Sequence, residues 1–409
     1  MRVGIIGGGA AGSFAAILLA RQGAEVVLIE KNEKIGKKIY ITGKGRCNLT
    51  NDCDIENMFA HVVHGEKYLR TALYSFTPRD TMSFFEDAGL ELSVERGNRV
   101  FPASQKSSDV IKTLSAELKK AGVKVLLQRT ARDISYSDGK FEIETDVGKE
   151  IFDRVVVATG GVSYPSTGST GDGYEFAKRF GHSVVSPKQA LVAIRLCEDV
   201  SGLQGISLRN VQLCALTSDG KTVASRFGEL MFTDKGISGP VALTLSSYIN
   251  RTERVKLILD LKPSLDDRQL DARILRDFEE RKNKDVGNVT RALLPDRLNL
   301  YVLRAAGIAD NKKVNAITKE ERARLVKTVK NLPFTVRELA PFTEAVITSG
   351  GVALKDLKPS GESRLQAGLY FIGETVDVDA LTGGFNLQIA FSTAAACARD
   401  IIKSLGRTR

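Results

Sequence analysis

RVGIIGGGAAGSFAAILLARQGAEVVLIE, residues 2–30, is the stretch that decides the fold. Its first five residues, RVGII, are an apolar run that ends at glycines, which is typical of a buried parallel strand. A helical pattern follows over residues 10–22 and ends at Gly23, a common helix-terminating residue. EVVLIE at 25–30 is a second apolar strand. The stretch therefore predicts a β-α-β unit within a parallel sheet.

Three glycines of this stretch, Gly7, Gly9 and Gly12, complete a GxGxxG pattern between the first strand and the helix. The first glycine permits a tight turn, the second lets the backbone approach a pyrophosphate, and the third lets helix and strand pack closely. The helix N-terminus then offers free N–H groups to the phosphates. Glu30 ends the second strand, where an acidic side chain binds an adenosine ribose through two hydrogen bonds. The pattern predicts FAD or NAD.

Two downstream segments favour FAD over NAD. ATGG at 158–161 follows an apolar strand, and Gly373 and Glu374 follow the apolar run GLYFI. An NAD-only dehydrogenase needs neither segment, whereas flavoproteins with this organisation use such backbone and acidic groups on the pyrophosphate and ribityl chain of FAD. The alternatives are an ordinary strand-ending turn for the first segment and a surface carboxylate for Glu374.

The rest of the chain indicates one α/β domain with a long insertion. Short alternating segments separated by turn residues fill 191–262, which favours an antiparallel β-barrel. Residues 263–340 have a charged, helical pattern, and apolar strands with a long final helix return afterwards. We predict a doubly wound, Rossmann-like FAD-binding domain formed by 1–190 and 341–409, interrupted by the insertion.

Composition indicates an intracellular globular protein. The 409 residues are 43% hydrophobic, and the five cysteines form no CxxC pair, so we expect neither a disulfide framework nor a zinc site. The three histidines suggest no third metal ligand, and we expect no metal. The apolar N-terminal run contains the cofactor motif, and no other run approaches the roughly 20 residues that span a bilayer. We expect a cytoplasmic protein without a membrane partner.

The net charge of +10 raises the question of a nucleic-acid partner. Much of it lies in 191–340, where 26 Lys and Arg face 19 Asp and Glu. The sequence has no run of like charges and no Trp to stack on bases. We therefore expect no nucleic-acid partner, and this charge is the only support for an RNA-modifying protein.

Four segments carry a specific combination of signatures in a fixed order: GKKIYITGKGRCNLTN at 36–51, GELMFTDKGISGP at 228–240, TSGGV at 348–352 and GETVDVDALTGGFNLQ at 373–388. Together they resemble the BaiN/RdsA-type bacterial NAD(P)/FAD-dependent oxidoreductase family, over essentially the whole chain. The resemblance implies an FAD-binding doubly wound domain and an insertion with a β-barrel and a helical part. Lys44 departs from the pattern, because family members often carry Gly there.

The dinucleotide motif and the resemblance give a set of candidate cofactor-binding residues. In such a fold, Lys37 and Lys38 would lie near the phosphates or ribityl chain, and loop 42–48 would line the isoalloxazine ring. The full set is Gly7, Gly9, Ala10, Ala11, Gly12, Glu30, Lys31, Lys37, Lys38, Thr42, Gly43, Arg46, Cys47, Asn48, Ala131, Thr159, Gly160, Gly161, Gly373, Glu374, Asp377, Gly384, Phe385 and Asn386.

Several of these side chains have two interpretations. Arg46 would stabilise negative charge on the reduced flavin or tie its loop to a carboxylate. Cys47 is a redox thiol or a small packing residue. Asn386 and Gln388 would hydrogen-bond the flavin ring, or Asn386 would cap the final helix. Asp377 and Asp379 form an acidic pair beside the turn that precedes this helix, and either would touch the ribityl chain or face water.

The resemblance implies an FAD-dependent oxidoreductase that takes electrons transiently from NADH or NADPH and reduces an activated double bond in a small organic substrate. The alternative is a flavin oxidase that acts on a small amine and produces hydrogen peroxide. Arg46, Tyr40 and Tyr164 are the candidate catalytic residues. The loop 163–173, rich in Gly, Ser and Thr, is either a loop at the flavin or a crossover between domains. No motif predicts the substrate or the oligomeric state.

Overall fold

The computed structural model describes residues 1–406, which divide into two compact units. The first unit is Met1–Gln189 with the chain from Phe342 onward, and the second is Ala190–Pro341. The strands are β1 (Arg2–Ile6), β2 (Glu25–Ile29), β3 (Thr50–Asn51), β4 (Val62–His64), β5 (Leu92–Glu95), β6 (Arg99–Pro102), β7 (Lys124–Leu126), β8 (Ala131–Ser137), β9 (Lys140–Thr145), β10 (Lys149–Phe152), β11 (Arg154–Val157), β12 (Val184–Ala190), β13 (Ile194–Leu196), β14 (Ser207–Leu216), β15 (Thr222–Phe232), β16 (Gly236–Ser238), β17 (Lys256–Asp260), β18 (Leu332–Leu339), β19 (Ile347–Val352), β20 (Leu369–Phe371) and β21 (Asp379–Ala380). The α-helices are α1 (Ala10–Arg21), α2 (Lys37–Ile41), α3 (Ile55–Ala60), α4 (Glu66–Ser75), α5 (Pro78–Asp87), α6 (Ser107–Lys120), α7 (Asp172–Arg179), α8 (Pro240–Ile249), α9 (Asp267–Glu280), α10 (Val286–Thr290), α11 (Asp296–Ala305), α12 (Lys319–Lys330) and α13 (Phe385–Gly406).

A five-stranded parallel sheet in the order β20-β11-β1-β2-β7 forms the centre of the first unit. Its strands are buried on both faces, which explains their continuous apolar sequences. One face packs against α1, α6 and α13, and the other packs against the antiparallel sheet β10-β9-β8 and α7. Gly4 in β1 lies against the ring of Phe152, so a side chain at that position would overlap the ring.

The second unit contains a closed barrel in the order β13-β16-β15-β14-β17-β18, together with α8–α12. Its last strand, Leu332–Leu339, pairs with both β13 and β17. The prediction that 263–340 is helical is therefore wrong for this strand. The pairing that makes it a strand is with segments more than 70 residues away, at 194–196 and 256–259, which a local pattern does not register.

The α/β fold class with a Rossmann-like sheet, a barrel and helices agrees with the prediction and is confirmed. Two small ladders hold the loops of the first unit: β3 pairs with β6, and β4 pairs with β21. Among residues 1–406, no helix combines the length and hydrophobicity that crossing a bilayer requires.

Candidate functional site

The turn between β1 and α1 contains three motif glycines, and only one of them borders open space. A Cβ placed on Gly9 would meet nothing within 4 Å, whereas one on Gly7 would overlap the carbonyl oxygen of Ala158, and one on Gly12 that of Gly7. The first turn of α1 holds no acidic residue, and no side chain of the described chain caps it. Its free N–H groups, Ala10 and Ala11 among them, therefore form a cradle that suits a phosphate.

The ATGG segment borders this cradle. The Thr159 hydroxyl is buried and has no hydrogen-bond partner among the described residues. Gly160 has a φ of +75° and donates its N–H to Thr375 Oγ1 at 3.1 Å, while a side chain at Gly161 would overlap Thr348. Because a buried hydroxyl without a partner is costly, the orphaned group and the open space at Gly9 fit a bound dinucleotide such as FAD.

Glu30 is buried at the end of β2. Its Oε2 accepts a hydrogen bond from Gly8 N at 2.7 Å, and its Oε1 accepts from the backbone N and the side-chain Nδ2 of Asn32 at 2.8 and 2.7 Å. Glu30 therefore organises the glycine turn in addition to the ribose role that the sequence predicts. Lys31, the next residue, donates to Asp172 Oδ2 at 2.6 Å.

The loop 163–173 lies against these residues. Asn32 Nδ2 donates to Thr167 O at 3.0 Å, and Lys31 Nζ donates to Thr170 Oγ1 at 2.6 Å. A side chain at Gly168 would overlap the amide of Asn32. The loop thus packs over the segment that follows the ribose-binding position, which favours its interpretation as a loop of the cofactor site.

The two adjacent lysines of α2 point to different partners. Lys37 Nζ donates to Asn32 Oδ1 at 3.2 Å, on the ribose side of the turn. Lys38 Nζ donates to Ser163 Oγ and to Glu374 Oε2, both at 2.6 Å. The sequence predicts one location for both lysines, near the phosphates or the ribityl chain, whereas in the structure their ammonium groups bind different partners.

Glu374 is the centre of a polar cluster rather than a surface carboxylate. In addition to Lys38, its Oε1 accepts from Thr348 N at 2.7 Å and from Ser163 Oγ at 3.0 Å. Thr348 Oγ1 in turn accepts from the backbone N of Val162 and of Ser163 at 2.9 and 3.0 Å. The cluster joins segments 36–51, 348–352 and 373–388. No side-chain role was predicted for Ser163 or Thr348, because only the fold brings them to Glu374.

Loop 42–48 has an unusual backbone. Gly43, Lys44, Gly45 and Cys47 have φ values of +56°, +57°, +84° and +61°. Asn48 ends the loop. In the amide orientation that satisfies its hydrogen bonds, its Oδ1 accepts from Gly384 N at 3.0 Å and its Nδ2 donates to Val100 O at 3.3 Å. The loop is therefore attached to the turn that precedes α13, as expected if both meet one ligand.

Replacing Lys44 by glycine is expected to stabilise the protein by about 1 kcal/mol, because a non-glycine residue in the left-handed region carries a cost of that order. The midpoint of urea unfolding measures the change. Lys112→Gly, in the interior of helix α6 and at an exposed side chain, is the opposite control and should destabilise by about 1 kcal/mol. A lower midpoint for Lys44→Gly would mean that the lysine side chain makes a compensating contact.

Arg46 is tied to a carboxylate, the second of its two interpretations. Its Nη1 lies 3.0 Å from Glu95 Oε1 and 3.0 Å from Gln105 Oε1, and the guanidinium lies 4.2 Å from the ring centroid of Phe101. These contacts hold the guanidinium on the β5–β6 side of its loop.

The two tyrosine candidates for catalysis have no evident catalytic partner. Tyr40 is 50% exposed, with Lys34 Nζ 5.1 Å from its ring centroid. Tyr164 has a φ of +49°, and its N–H donates to Phe342 O at 3.1 Å. Neither contact prepares a phenol for proton transfer, so their catalytic role stays a prediction.

The Cys47 thiol is fully buried, and this burial raises its pKa to about 12, although a hydrogen bond with Thr42 acts in the opposite direction. Thr42 itself donates to Ile39 O at 2.7 Å. Because the thiolate is the reactive form, these facts favour the packing role.

Iodoacetamide is therefore expected to leave Cys47 unmodified in the folded protein at pH 8, while the exposed Cys197 reacts. Peptide mass spectrometry after a timed exposure measures both sites in one sample. Alkylation of Cys47 as fast as Cys197 would contradict a buried, protonated thiol. Urea-unfolded protein is the control in which both must react.

Two amides near α13 differ from their predicted roles. Asn386 Nδ2 donates to Ala380 O at 2.7 Å, and its Oδ1 accepts from Ala380 N at 2.9 Å, so it fixes the preceding turn instead of capping the helix. Gln388 is buried; its Oε1 accepts from Thr50 and Thr81, and its Nε2 donates to Phe76 O. The prediction that Gln388 bonds the flavin ring is wrong, because protein groups occupy its amide.

The remaining candidate cofactor-binding residues are Phe385, Gly384, Gly373, Asp377 and Ala131, and each has contacts within the protein. Phe385 is buried and stacks on His61 with ring centroids 4.2 Å apart. A side chain at Gly384 would overlap Thr50 O, and one at Gly373 would lie 2.8 Å from Ala11 Cβ, next to the phosphate cradle. Asp377 N donates to Val352 O at 3.1 Å. Ala131 lies in β8, opposite Thr145, on the antiparallel sheet.

The fold and this site define an FAD-dependent oxidoreductase. More narrowly, the chain belongs to the family described as HI0933-like protein Rossmann domain, whose model matches residues 1–400. It is 31% identical over 407 residues to a 3-dehydro-bile acid delta(4,6)-reductase of Clostridium scindens, covering 97% of this chain and 98% of that protein. It is 33% identical over 407 residues to a ribosomal RNA dihydrouridine synthase of Haemophilus influenzae, covering 97% of each.

A solved structure supports the fold. The 3-ketosteroid delta1-dehydrogenase of Sterolibacterium denitrificans, in complex with 1,4-androstadiene-3,17-dione, superposes with a TM-score of 0.52 at 13% identity, covering 98% of this chain and 99% of that one. At this identity the likeness concerns the fold alone.

Proposed function

We propose that this FAD-dependent oxidoreductase uses NADH or NADPH to reduce a carbon–carbon double bond conjugated to a carbonyl group. The observation that carries the proposal is full-length kinship with two proteins whose names share that chemistry. A delta(4,6)-reductase saturates a double bond of a keto-steroid acid, and a dihydrouridine synthase saturates the uracil ring. In both, a hydride adds to the electron-poor carbon of the double bond, which is the β-carbon of an enone or the δ-carbon of a 4,6-dienone, and a proton adds to the other carbon.

Bound FAD would supply the hydride. The protein's own groups would hold and orient it. The first turn of α1 would bind the pyrophosphate, Glu30 the ribose, and Lys38 the region of the ribityl chain. The N-terminus of α13 brings the positive end of a helix dipole of about half a unit charge, which would favour negative charge on the flavin's pyrimidine end.

The nicotinamide donor would bind transiently. The sequence contains one GxGxxG turn, which follows β1 of the five-stranded parallel sheet and which the FAD would occupy. The reduced nicotinamide would therefore dock next to the flavin, react and leave before the second substrate enters. A cytoplasmic location, where reduced nicotinamides are abundant, is part of this proposal.

A small ketone acid is the first candidate substrate, and a uridine of ribosomal RNA is the second. The second is favoured by the H. influenzae relative and by the excess of 26 basic over 19 acidic residues in 191–340, although the sequence lacks an obvious stacking surface. Both candidates require the same reduction, so they differ in how the second substrate is recognised.

Anaerobic mixing of the FAD-loaded protein with NADH and with NADPH tests the first half of the reaction. Loss of flavin absorbance near 450 nm by either donor supports the proposal. The reduced enzyme is then mixed with a 3-oxo-4,6-diene bile acid, or with ribosomal RNA from cells lacking the gene. Mass spectrometry identifies the saturated steroid or dihydrouridine.

Failure of both nicotinamides to reduce the flavin would overturn the proposal. The amine-oxidase alternative would then require flavin reduction by a small amine, followed by hydrogen peroxide on admission of oxygen. Repeating nicotinamide reduction at rising salt adds information on the basic residues, since electrostatic attraction of the anionic donor weakens steeply with screening.

A further inference from the structure

His64, Asp379 and Ser349 form a hydrogen-bonded cluster on the β4–β21 ladder. His64 Nδ1 lies 2.7 Å from Asp379 Oδ1, and Ser349 Oγ donates to the same oxygen at 2.9 Å. The Asp379 side chain is 1% exposed, and that of His64 is 26% exposed. The aspartate is therefore withdrawn from solvent, whereas the imidazole it holds is within reach of solvent or a ligand.

Asp379 uses only half of its hydrogen-bonding capacity. Its Oδ2 is buried and has no hydrogen-bond partner in the described part of the chain. An ionised carboxylate in this position is expensive unless it is paired with a positive charge. His64 is the neighbour of this carboxylate, and an Nδ1–H on its ring would donate the hydrogen bond that Asp379 Oδ1 accepts.

The cluster also lies at the candidate cofactor site. The segment before His64 is fastened to the turn preceding α13, because Leu381 N donates to His61 O at 2.9 Å and His61 stacks on Phe385. Ser349 follows Thr348, whose N–H is bound by Glu374. The cluster thus joins two segments, 348–352 and 373–388, that contribute residues to the candidate cofactor site.

We propose that His64 is the proton donor of the reduction and that Asp379 is its positioning residue. The inference rests on the proposed function, in which bound FAD would supply the hydride for the new C–H bond at the β-carbon. The electron pair of the double bond then forms an enolate, and the Nε2 proton of His64 forms the second C–H bond at the α-carbon. The neutral imidazole regains a proton from water, while Nδ1–H remains on Asp379.

The charges around His64 are consistent with this role. Asp379 faces it from β21 and neutral Ser349 from β19. Helix α4, which begins two residues later, brings Glu66 and Lys67, both exposed to solvent. Histidine is the side chain that ordinarily changes charge between pH 5 and 8, so its participation leaves a signature in a pH–rate profile.

His64→Gln and Asp379→Asn separate the two half-reactions. The prereduced enzyme is oxidised by a 3-oxo-4,6-diene bile acid or by ribosomal RNA from cells that lack the gene. In His64→Gln, we expect this oxidation to be slower by about 100-fold or more, which is the usual contribution of a general acid. The pH–rate profile of this step should differ from that of the wild type as well. Asp379→Asn should slow the same step by about tenfold and keep a pH dependence. Flavin reduction by nicotinamide measures the other step, and Glu66→Gln is the surface control for both.

An unchanged rate and pH profile in His64→Gln would overturn the proposal. If the wild type reduces neither probe substrate, the proposed function itself has failed. The arrangement of His64 and Asp379 is then tested by a measurement that needs no substrate. The protein has three histidines, so the ¹⁵N spectrum of the FAD-loaded, histidine-labelled protein is simple, and the His64 signals are those lost in His64→Gln. The proposal requires the neutral ring of His64 to carry its proton on Nδ1. A proton on Nε2 would exclude Asp379 as its acceptor and overturn it.

Discussion

Substituting Gly9 by valine is expected to abolish FAD binding while leaving the protein folded. A Cβ at Gly9 would meet no protein atom within 4 Å, and the backbone there, with φ −80° and ψ −165°, suits any residue. The same side chain would enter the space of the pyrophosphate. We expect the affinity of the apoprotein for FAD to fall at least about 100-fold, or about 2.7 kcal/mol, measured by flavin fluorescence quenching.

Two matched variants make the Gly9 result interpretable. Gly202→Val also places a side chain in open space, but within the second unit, and should leave FAD binding unchanged. Gly12→Ala should reduce folding itself, because its Cβ would overlap the carbonyl oxygen of Gly7. Full flavin occupancy in Gly9→Val would show that the pyrophosphate binds elsewhere, and circular dichroism checks that the variant is folded.

Replacing Glu374 by glutamine is expected to destabilise the protein by about 2–3 kcal/mol, the usual range for a hydrogen bond to a charged group. The substitution preserves shape, but it directs an amide donor toward the Lys38 ammonium and removes the charge that balances it. Both side chains are about one-fifth exposed, at 21% and 22%. Urea unfolding of the apoprotein measures the effect without contributions from the cofactor.

A double-mutant cycle with Lys38→Met isolates the pair. If the two side chains interact as the structure indicates, the double variant should be more stable than the sum of the single effects implies, by about 1–2 kcal/mol. The exposed pair Lys178–Glu175 is the control, and Glu175→Gln should cost less than about 1 kcal/mol. Strict additivity at Lys38 and Glu374 would mean that the ion pair contributes nothing to stability.

The sequence predicted the parts of this protein whose information is local. Residues 2–30 specify strand, glycine turn and helix within one continuous stretch, and the structure has β1, α1 and β2 there. The barrel was predicted from alternation, but its closing strand was missed, because Leu332–Leu339 becomes a strand through partners far away in the chain.

The candidate site shows the same division. The open space at Gly9 follows from a motif, whereas the partners of Glu374 come from three separated segments that only the fold brings together. His64 illustrates the difference most clearly. In the sequence it is one histidine without a metal-binding pattern, and its meaning depends on a carboxylate 315 residues later.

The two ends of the second unit, Ala190–Pro341, lie side by side. Its first and last strands, β13 and β18, are antiparallel neighbours, with Ile194 opposite Leu339, and Ala340 N donates to Ala193 O at 3.0 Å. Residues that face each other across such a ladder are only about 5 Å apart. The second unit therefore begins and ends at nearly one point. Deleting it would leave two chain ends that a linker of a few residues could bridge, so each unit can be produced and tested separately.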